Sequence, residues 1–422
     1  MDESFESRVR SSTPRDAAFV HIHLNRVAMI ELADGRLLQV APEGRVISSD
    51  GGVTWSEPEP IFDTAGQPVN RGHPILLRSG GLGLLYSYSD EKRSRYGMGI
   101  WFRRSDDEGQ SWSQPVEVSE PHNNAWIGAG YGPPVTVTSA GRIVVSAWAG
   151  IGKTEPERAI ALHGDRWART GHHGWESFFR YSWAYYSDDE GQTWHANEGK
   201  GVHAAGGELF ITLDYGAGGA HSCEEPVLTD VSPGHLLMFH RTGLGRLYQS
   251  WSADDGASWT LPEPTALASA QAPAALRRIP GTDYLLLIWN QSSADEIWRG
   301  RQRHRLSSAI SRDGGATWQH GRNVFFVEDE DGTITKIEAP SIEYHRALEH
   351  SPRLAPGDLE GTYPSLGFWQ DRAIVTFRCF DRARYLLDAD PPQRPPPGAG
   401  ASAASGRAVC VSVGLPTSWF YA

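Results

Sequence analysis

Ser48-Ser-Asp50-Gly-Gly52-Val-Thr-Trp55 is the first copy of an eight-residue pattern, Ser-x-Asp-x-Gly-x-x-Trp, that decides the fold. The other copies are Ser105-Asp107-Gly109-Trp112, Ser187-Asp189-Gly191-Trp194, Ser252-Asp254-Gly256-Trp259 and Ser311-Asp313-Gly315-Trp318. Four residues are fixed in each, so five copies in one chain are a repeat rather than a coincidence. Strand-like runs flank them, such as 99–103 and 181–186 upstream and 113–118 and 260–264 downstream. The centre of each copy is Asp-Gly-Gly, Asp-Glu-Gly or Asp-Asp-Gly, which are turn formers. The Gly can take a positive φ, and the Asp and Ser oxygens can bond backbone N–H groups across the turn. The Trp supplies a large apolar face and an indole N–H to satisfy. One copy therefore reads as a stapled β-hairpin, and its Asp as a structural residue.

The copies start 57, 82, 65 and 59 residues apart. This spacing fits four-stranded blades of ~40–50 residues with loop insertions. The longest gap holds an insertion over 150–179 that is rich in Arg, His and Trp. After the fifth copy, Tyr363-Pro-Ser-Leu-Gly-Phe and Ala373-Ile-Val-Thr-Phe-Arg supply a further strand pair without the pattern. The expected fold is all-β: a six-bladed β-propeller of four-stranded antiparallel blades, five of them carrying the repeat. Residues 17–422 are expected to form this single propeller, after a loose polar segment over 1–16. Residues 386–406 read as a Pro/Gly/Ala-rich loop, and 407–422 as the strand that closes the ring. Helical periodicity is scarce, with one short Ala-rich candidate over 266–276.

Three cysteines do not make a disulfide framework. No leader pattern opens the chain and no run of about 18 apolar residues suggests a membrane span, so the default expectation is cytoplasmic. A net charge of −12 argues against nucleic acid and anionic membranes as partners. The pair His172-His173 has no third residue at metal-ligand spacing, so no metal and no cofactor is expected. The Gly-rich segment 216–219 follows no strand and reads as a turn.

The repeat resembles the Asp-box, or bacterial neuraminidase repeat, and the chain resembles the sialidase superfamily. That family places the box on the outer hairpin of a blade, away from the ligand. Its site uses three Arg residues for the sugar carboxylate, a Tyr nucleophile activated by a Glu, and an Asp acid/base. The segment from Glu225 to Arg241 runs directly into the fourth box and matches the family's Glu-to-Arg arrangement. A Glu can accept a phenol proton, and an Arg can clamp a carboxylate in a fork. Strand alternation points Glu224 and Glu225 to opposite faces, so only one of them is expected to serve. Tyr363, in Gly-Thr-Tyr-Pro-Ser-Leu, is similar to the family's nucleophile segment. A neutral phenol approaches an anomeric carbon beside a carboxylate more readily than a second anion would; ionising near pH 10, it needs Glu225 as base. Arg303, eight residues before the fifth box, corresponds to another clamp Arg, with Arg305 as its competitor. Arg26 opens the strand that begins Arg-Ile-Pro in the family, here Arg-Val-Ala.

The family's acid/base loop has no counterpart, because 37–45 runs almost directly into the first box. Candidates for the missing acid are Asp63, His73 in Arg71-Gly-His-Pro, and His122; an imidazole near pH 6.5 suits such a role. Arg71 and Trp126 are further candidates for substrate binding, and Trp126 and Tyr131 could stack on sugar rings. The resemblance implies a sialidase-like exo-glycosidase acting on a terminal carboxylated sugar, a sialic acid or related 2-keto acid. The missing loop keeps two alternatives open. One is a propeller glycosidase or lyase acting on a uronic acid or rhamnoside with a His acid/base. The other is a non-catalytic glycan-binding propeller, since fold alone does not fix function.

Overall fold

Each repeat follows the third strand of a small antiparallel sheet, and six such sheets form the blades of a propeller. The computed structural model describes residues 3–23, 28–41, 43–62, 66, 68–69, 72–89, 98–119, 125–128, 132, 134–151, 160–163, 166–169, 179–198, 211–212, 220–221, 223–293, 296, 303–327, 337, 359–381 and 408–421. Blade 1 holds Met29–Glu31, Leu37–Ala41 and Gly44–Ser48, with a bridge from Arg45 to Glu59 at its outer edge. Blade 2 holds Gly72–Leu76, Leu82–Ser89, Met98–Ser105 and Val116–Glu117. Blade 3 holds Val135–Val137, Ile143–Ile151, Phe179–Ser187 and His195–Ala196, with Trp126–Ile127 added beside its second strand. Blade 4 holds Glu224–Ser232, His235–Arg241, Arg246–Ser252 and Glu263–Ala268. Blade 5 holds Ala275–Arg278, Leu285–Trp289, Arg305–Ser311 and Gln319–Phe326. Blade 6 orders Leu359–Trp369, Arg372–Asp381 and Ala408–Pro416 outward, and its edge strand is Phe19–His23 from the other end of the chain. The first strands of successive blades neighbour one another around a closed ring, blade 6 meeting blade 1.

The repeat works as a hydrogen-bonded wedge. In every copy the Ser hydroxyl donates to the Asp carboxylate at 2.8 Å and accepts from the Gly N–H. The same Asp accepts from the backbone N–H and the hydroxyl of the residue before the Trp: Thr54, Ser111, Thr193, Ser258 and Thr317. That hydroxyl is a fifth fixed position, visible in the sequence once its role is known. These bonds hold the carboxylates low. At Asp50 partial burial works in the opposite direction, but the bonds from Thr54 and Ser48 outweigh it and bring the pKa to about 2. At Asp107 the bonds from Ser111 lead, again to about 2. The turn seats against the preceding blade. A side chain at Gly191, where φ is 89°, would place its Cβ 2.0 Å from the Phe102 ring of blade 2.

Every blade is buried on both faces, which explains why its strands read as continuous apolar runs. Along His235–Arg241, Leu236 and Met238 join Val144 of blade 3, while Leu237 and Phe239 join Leu285 and Leu287 of blade 5. The same alternation fills the contacts between blades 1 and 2, 2 and 3, 5 and 6, and 6 and 1.

Two sequence expectations are corrected here. Residues 3–11, expected to be loose, form the helix Glu3–Ser11. Phe5 and Val9 stand four residues apart on one helical face and are buried among residues of blades 5 and 6. The Ala-rich stretch 266–276 is not a helix; it carries the end of the strand Glu263–Ala268 and the start of Ala275–Arg278. Ala268, Ala270, Ala272, Ala274 and Ala275 are all buried, so the small side chains permit close packing at this crossing between blades. Among the described residues, no helix is long and apolar enough to cross a membrane.

Candidate active site

Two inner strands break their ladders in the same way. In blade 4, Glu224 pairs Arg241 and Val227 pairs Phe239, so Glu225 and Pro226 stand opposite the single residue His240. In blade 6, Thr362 pairs Arg378 and Ser365 pairs Thr376, so Tyr363 and Pro364 stand opposite Phe377. Each is a β-bulge holding a proline, which has no N–H to give to a ladder. The residue before each proline takes a positive φ, 44° at Glu225 and 55° at Tyr363. Such strain in a non-glycine residue persists only where the surroundings impose it.

The bulges bring the two side chains together across blade 5. The Tyr363 hydroxyl donates to Glu225 Oε1 at 3.2 Å. Arg241 Nη1 donates to the Tyr363 oxygen at 3.2 Å and also to Glu225 Oε2. The Arg303 guanidinium lies 5.7 Å from the Tyr363 ring centroid and donates from Nη2 to the Gln271 carbonyl at 2.8 Å. Four of the residues singled out in the sequence, Tyr363, Glu225, Arg241 and Arg303, therefore share one cluster. Chemically the cluster offers a nucleophilic phenol, a carboxylate placed to take its proton, and guanidiniums for an anion.

Alternation does not divide Glu224 from Glu225. The bulge cancels the two-residue period, and both carboxylates reach Arg241, Glu224 Oε1 lying 3.4 Å from Arg241 Nε. Arg305 does not compete with Arg303. Arg303 precedes the strand Arg305–Ser311, whereas Arg305 is buried and paired with Glu296 at 2.5 Å. Trp126 is half-buried and stacks on Trp148, with centroids 5.8 Å apart. His73 is buried on the first strand of blade 2, also directly before a proline, but in regular register with Leu85. Arg26, Asp63, Arg71, His122, Tyr131, His172 and His173 lie outside the described residues.

Sequence reasoning missed Arg180. It is the second residue of the strand Phe179–Ser187, after the long insertion, and forms a buried ion pair with Glu224. Its guanidinium lies 5.7 Å from the Trp148 ring centroid, which places Trp126 behind the same wall. Burial, and then the like charge of Arg241, push the Arg180 guanidinium down to about 10, while Glu225 and Tyr363 work the other way. It remains a cation at neutral pH.

Solved structures of similar fold include a Dyadobacter fermentans protein of unknown function, at 16% identity and a TM-score of 0.53, with 94% of this chain and 95% of that one covered. A Hadza microbial sialidase matches at 16% identity and a TM-score of 0.52 over 84% of this chain, which spans 63% of that sialidase. The Streptococcus pneumoniae NanB sialidase matches at 11% identity and a TM-score of 0.51, covering 95% of this chain and 69% of that one. At such identities the likeness is one of fold. The family described as BNR repeat-like domain matches residues 41–375. That match spans most of the chain, and the protein belongs to the BNR repeat-like family, with the six-bladed fold of sialidases.

Proposed function

We propose that the protein is an exo-glycosidase that hydrolyses a terminal carboxylated sugar, a sialic acid or related 2-keto acid. The observation that carries this reading is the contact of the Tyr363 hydroxyl with Glu225 at 3.2 Å, with Arg241 bridging both. Arg241 and Arg303, with Arg26, hold the sugar carboxylate. Tyr363 attacks the anomeric carbon, and Glu225 takes the phenol proton as the bond forms. Water then releases the sugar. The leaving group needs a proton donor, and His73 or Asp63 is assigned that role. His73 has in its favour that it directly precedes a proline on the first strand of its blade, as Glu225 and Tyr363 do. The three sit on blades 2, 4 and 6, which alternate around the axis.

A second reading has one observation behind it. In blade 1 the strands Leu37–Ala41 and Gly44–Ser48 are joined through residues 42–43 alone, which leaves no loop for the acid that sialidases carry there. A propeller enzyme using His73 as acid/base on a uronic acid or rhamnoside fits that gap, by hydrolysis or elimination.

A fluorogenic sialoside tests the first reading, which expects release of the phenol by the wild-type protein. No turnover of any sialoside, together with an unsaturated product absorbing in the near ultraviolet from a uronate polymer, would transfer the assignment to the second reading. Binding on a glycan array without turnover of any bound ligand would leave a lectin-like propeller.

A further inference from the structure

Glu224 is fully buried, and its carboxylate meets groups from three blades. Its Oε2 pairs with Arg180 from blade 3. Its Oε1 lies 3.4 Å from Arg241 Nε on the neighbouring strand of its own blade and accepts from Gln271 Nε2 at 3.3 Å. Gln271 in turn offers its backbone carbonyl to Arg303 at 2.8 Å. One carboxylate thus reaches three guanidiniums, two directly and one through Gln271. Gln271 lies between blades 4 and 5, so the carboxylate ties together groups from three blades.

From this we infer that Glu224 is the positioning residue of the anion site, and that Arg180 is the cation that holds Glu224 in place. The inference rests on the reading of the cluster as a carboxylate-binding site. Converging guanidiniums repel one another, and the charge of Arg241 already disfavours that of Arg180. A buried anion offsets that repulsion, pairing directly with Arg180 and Arg241 and reaching Arg303 through Gln271. The bulge explains how one strand supplies two carboxylates with separate tasks. Glu225 is turned toward the phenol, while Glu224, one residue earlier, stays in the ladder behind the arginines.

An ion pair that only tied blade 3 to blade 4 would affect stability and leave the arginines on blades 4 and 5 unmoved. The test uses the full chain with Glu224→Gln, which keeps the shape and removes the charge. The dissociation constant for the 2,3-unsaturated analogue of sialic acid, measured by calorimetry, should rise at least about tenfold, roughly 1.4 kcal/mol. KM for a fluorogenic sialoside should rise in parallel, with kcat changed less than about threefold. Glu224→Asp, which keeps the charge, should recover part of the loss. Removing one partner of a buried pair can unfold a protein. Glu224→Gln/Arg180→Gln therefore removes both charges, and the same rise is expected of it. A crystal structure of either variant should show Arg303 displaced from the Gln271 carbonyl. Unchanged affinity with Arg241 and Arg303 in place would overturn the inference. If the wild-type protein neither binds nor cleaves sialic-acid compounds, the proposed function fails, while the position of Arg303 in the variant crystal still decides the role of Glu224.

Discussion

The outer turns and the inner bulges both hold non-glycine residues at positive φ, but to different ends. At the outer turns, Glu108, Glu190 and Asp255 take φ of 58°, 56° and 53°, where the first and fifth repeats use Gly51 and Gly314. The same bonds surround each of these turns, and substitution by glycine is already seen within the chain. At the inner bulges, Glu225 and Tyr363 take similar φ values, but each stands before a proline and faces the other's side chain. Strain repeated around the ring is architecture. Strain at two inner strands whose side chains meet is what the proposed site rests on.

The sharpest way to break this contrast is to remove one atom from the inner pair. Tyr363→Phe should lower kcat for a fluorogenic sialoside on the order of 10³-fold or more, with the melting temperature changed by no more than about 2 °C. Glu225→Gln should lower kcat by about 10²–10³-fold, the range of a lost general base. Turnover that survives both changes would mean that the bulges serve only packing.

The outer turns should respond in the opposite sense, losing stability and keeping activity. Ser252→Ala deletes the hydroxyl that bonds Asp254 and leaves the buried Gly256 N–H without its acceptor. The expected cost is about 1–3 kcal/mol in denaturant unfolding, with kcat unchanged. A loss of kcat at full stability would contradict the division of labour.

Acid should act on the same turns. The repeat carboxylates are held below their unfolded value of 3.8, at about 2 for Asp50 and Asp107. Stability drawn from them is complete above about pH 4 and is lost as pH falls through about 2, because the unfolded chain then binds protons that the folded turns exclude. Melting temperature measured from pH 6 to pH 2 should fall mainly below pH 4. A flat profile there would mean that the bonds to these carboxylates contribute little. The smallest effect is expected at Asp255→Gly, which gives the fourth repeat the residue found in the first and fifth. It should shift unfolding by no more than about 0.5 kcal/mol in either direction.

Much of this was legible in the sequence because the repeat is local. Eight residues carry their own hydrogen bonds, so each outer turn could be read without knowing its neighbours. The resemblance to sialidases, measured from the fourth and fifth repeats, pointed to Arg241 and Arg303, which lie beside Tyr363. What was hidden depends on contacts between blades. The joint use of Glu224 and Glu225 was obscured by the two-residue period, which Pro226 interrupts. Arg180 stands 44 residues before Glu224 and directly after the long insertion, so no spacing rule reaches it. The terminal helix was masked by its polar composition, although the i, i+4 pair Phe5 and Val9 was the available sign.

The most direct test of the central claim is covalent trapping. A sialosyl fluoride carrying a second fluorine on the carbon beside the anomeric centre should form a slowly hydrolysed adduct, located by mass spectrometry of the digested protein. The account predicts the sugar on the peptide containing Tyr363, with labelling abolished in Tyr363→Phe. An adduct on Glu225 or any other residue, or equal labelling of the Phe variant, would contradict it.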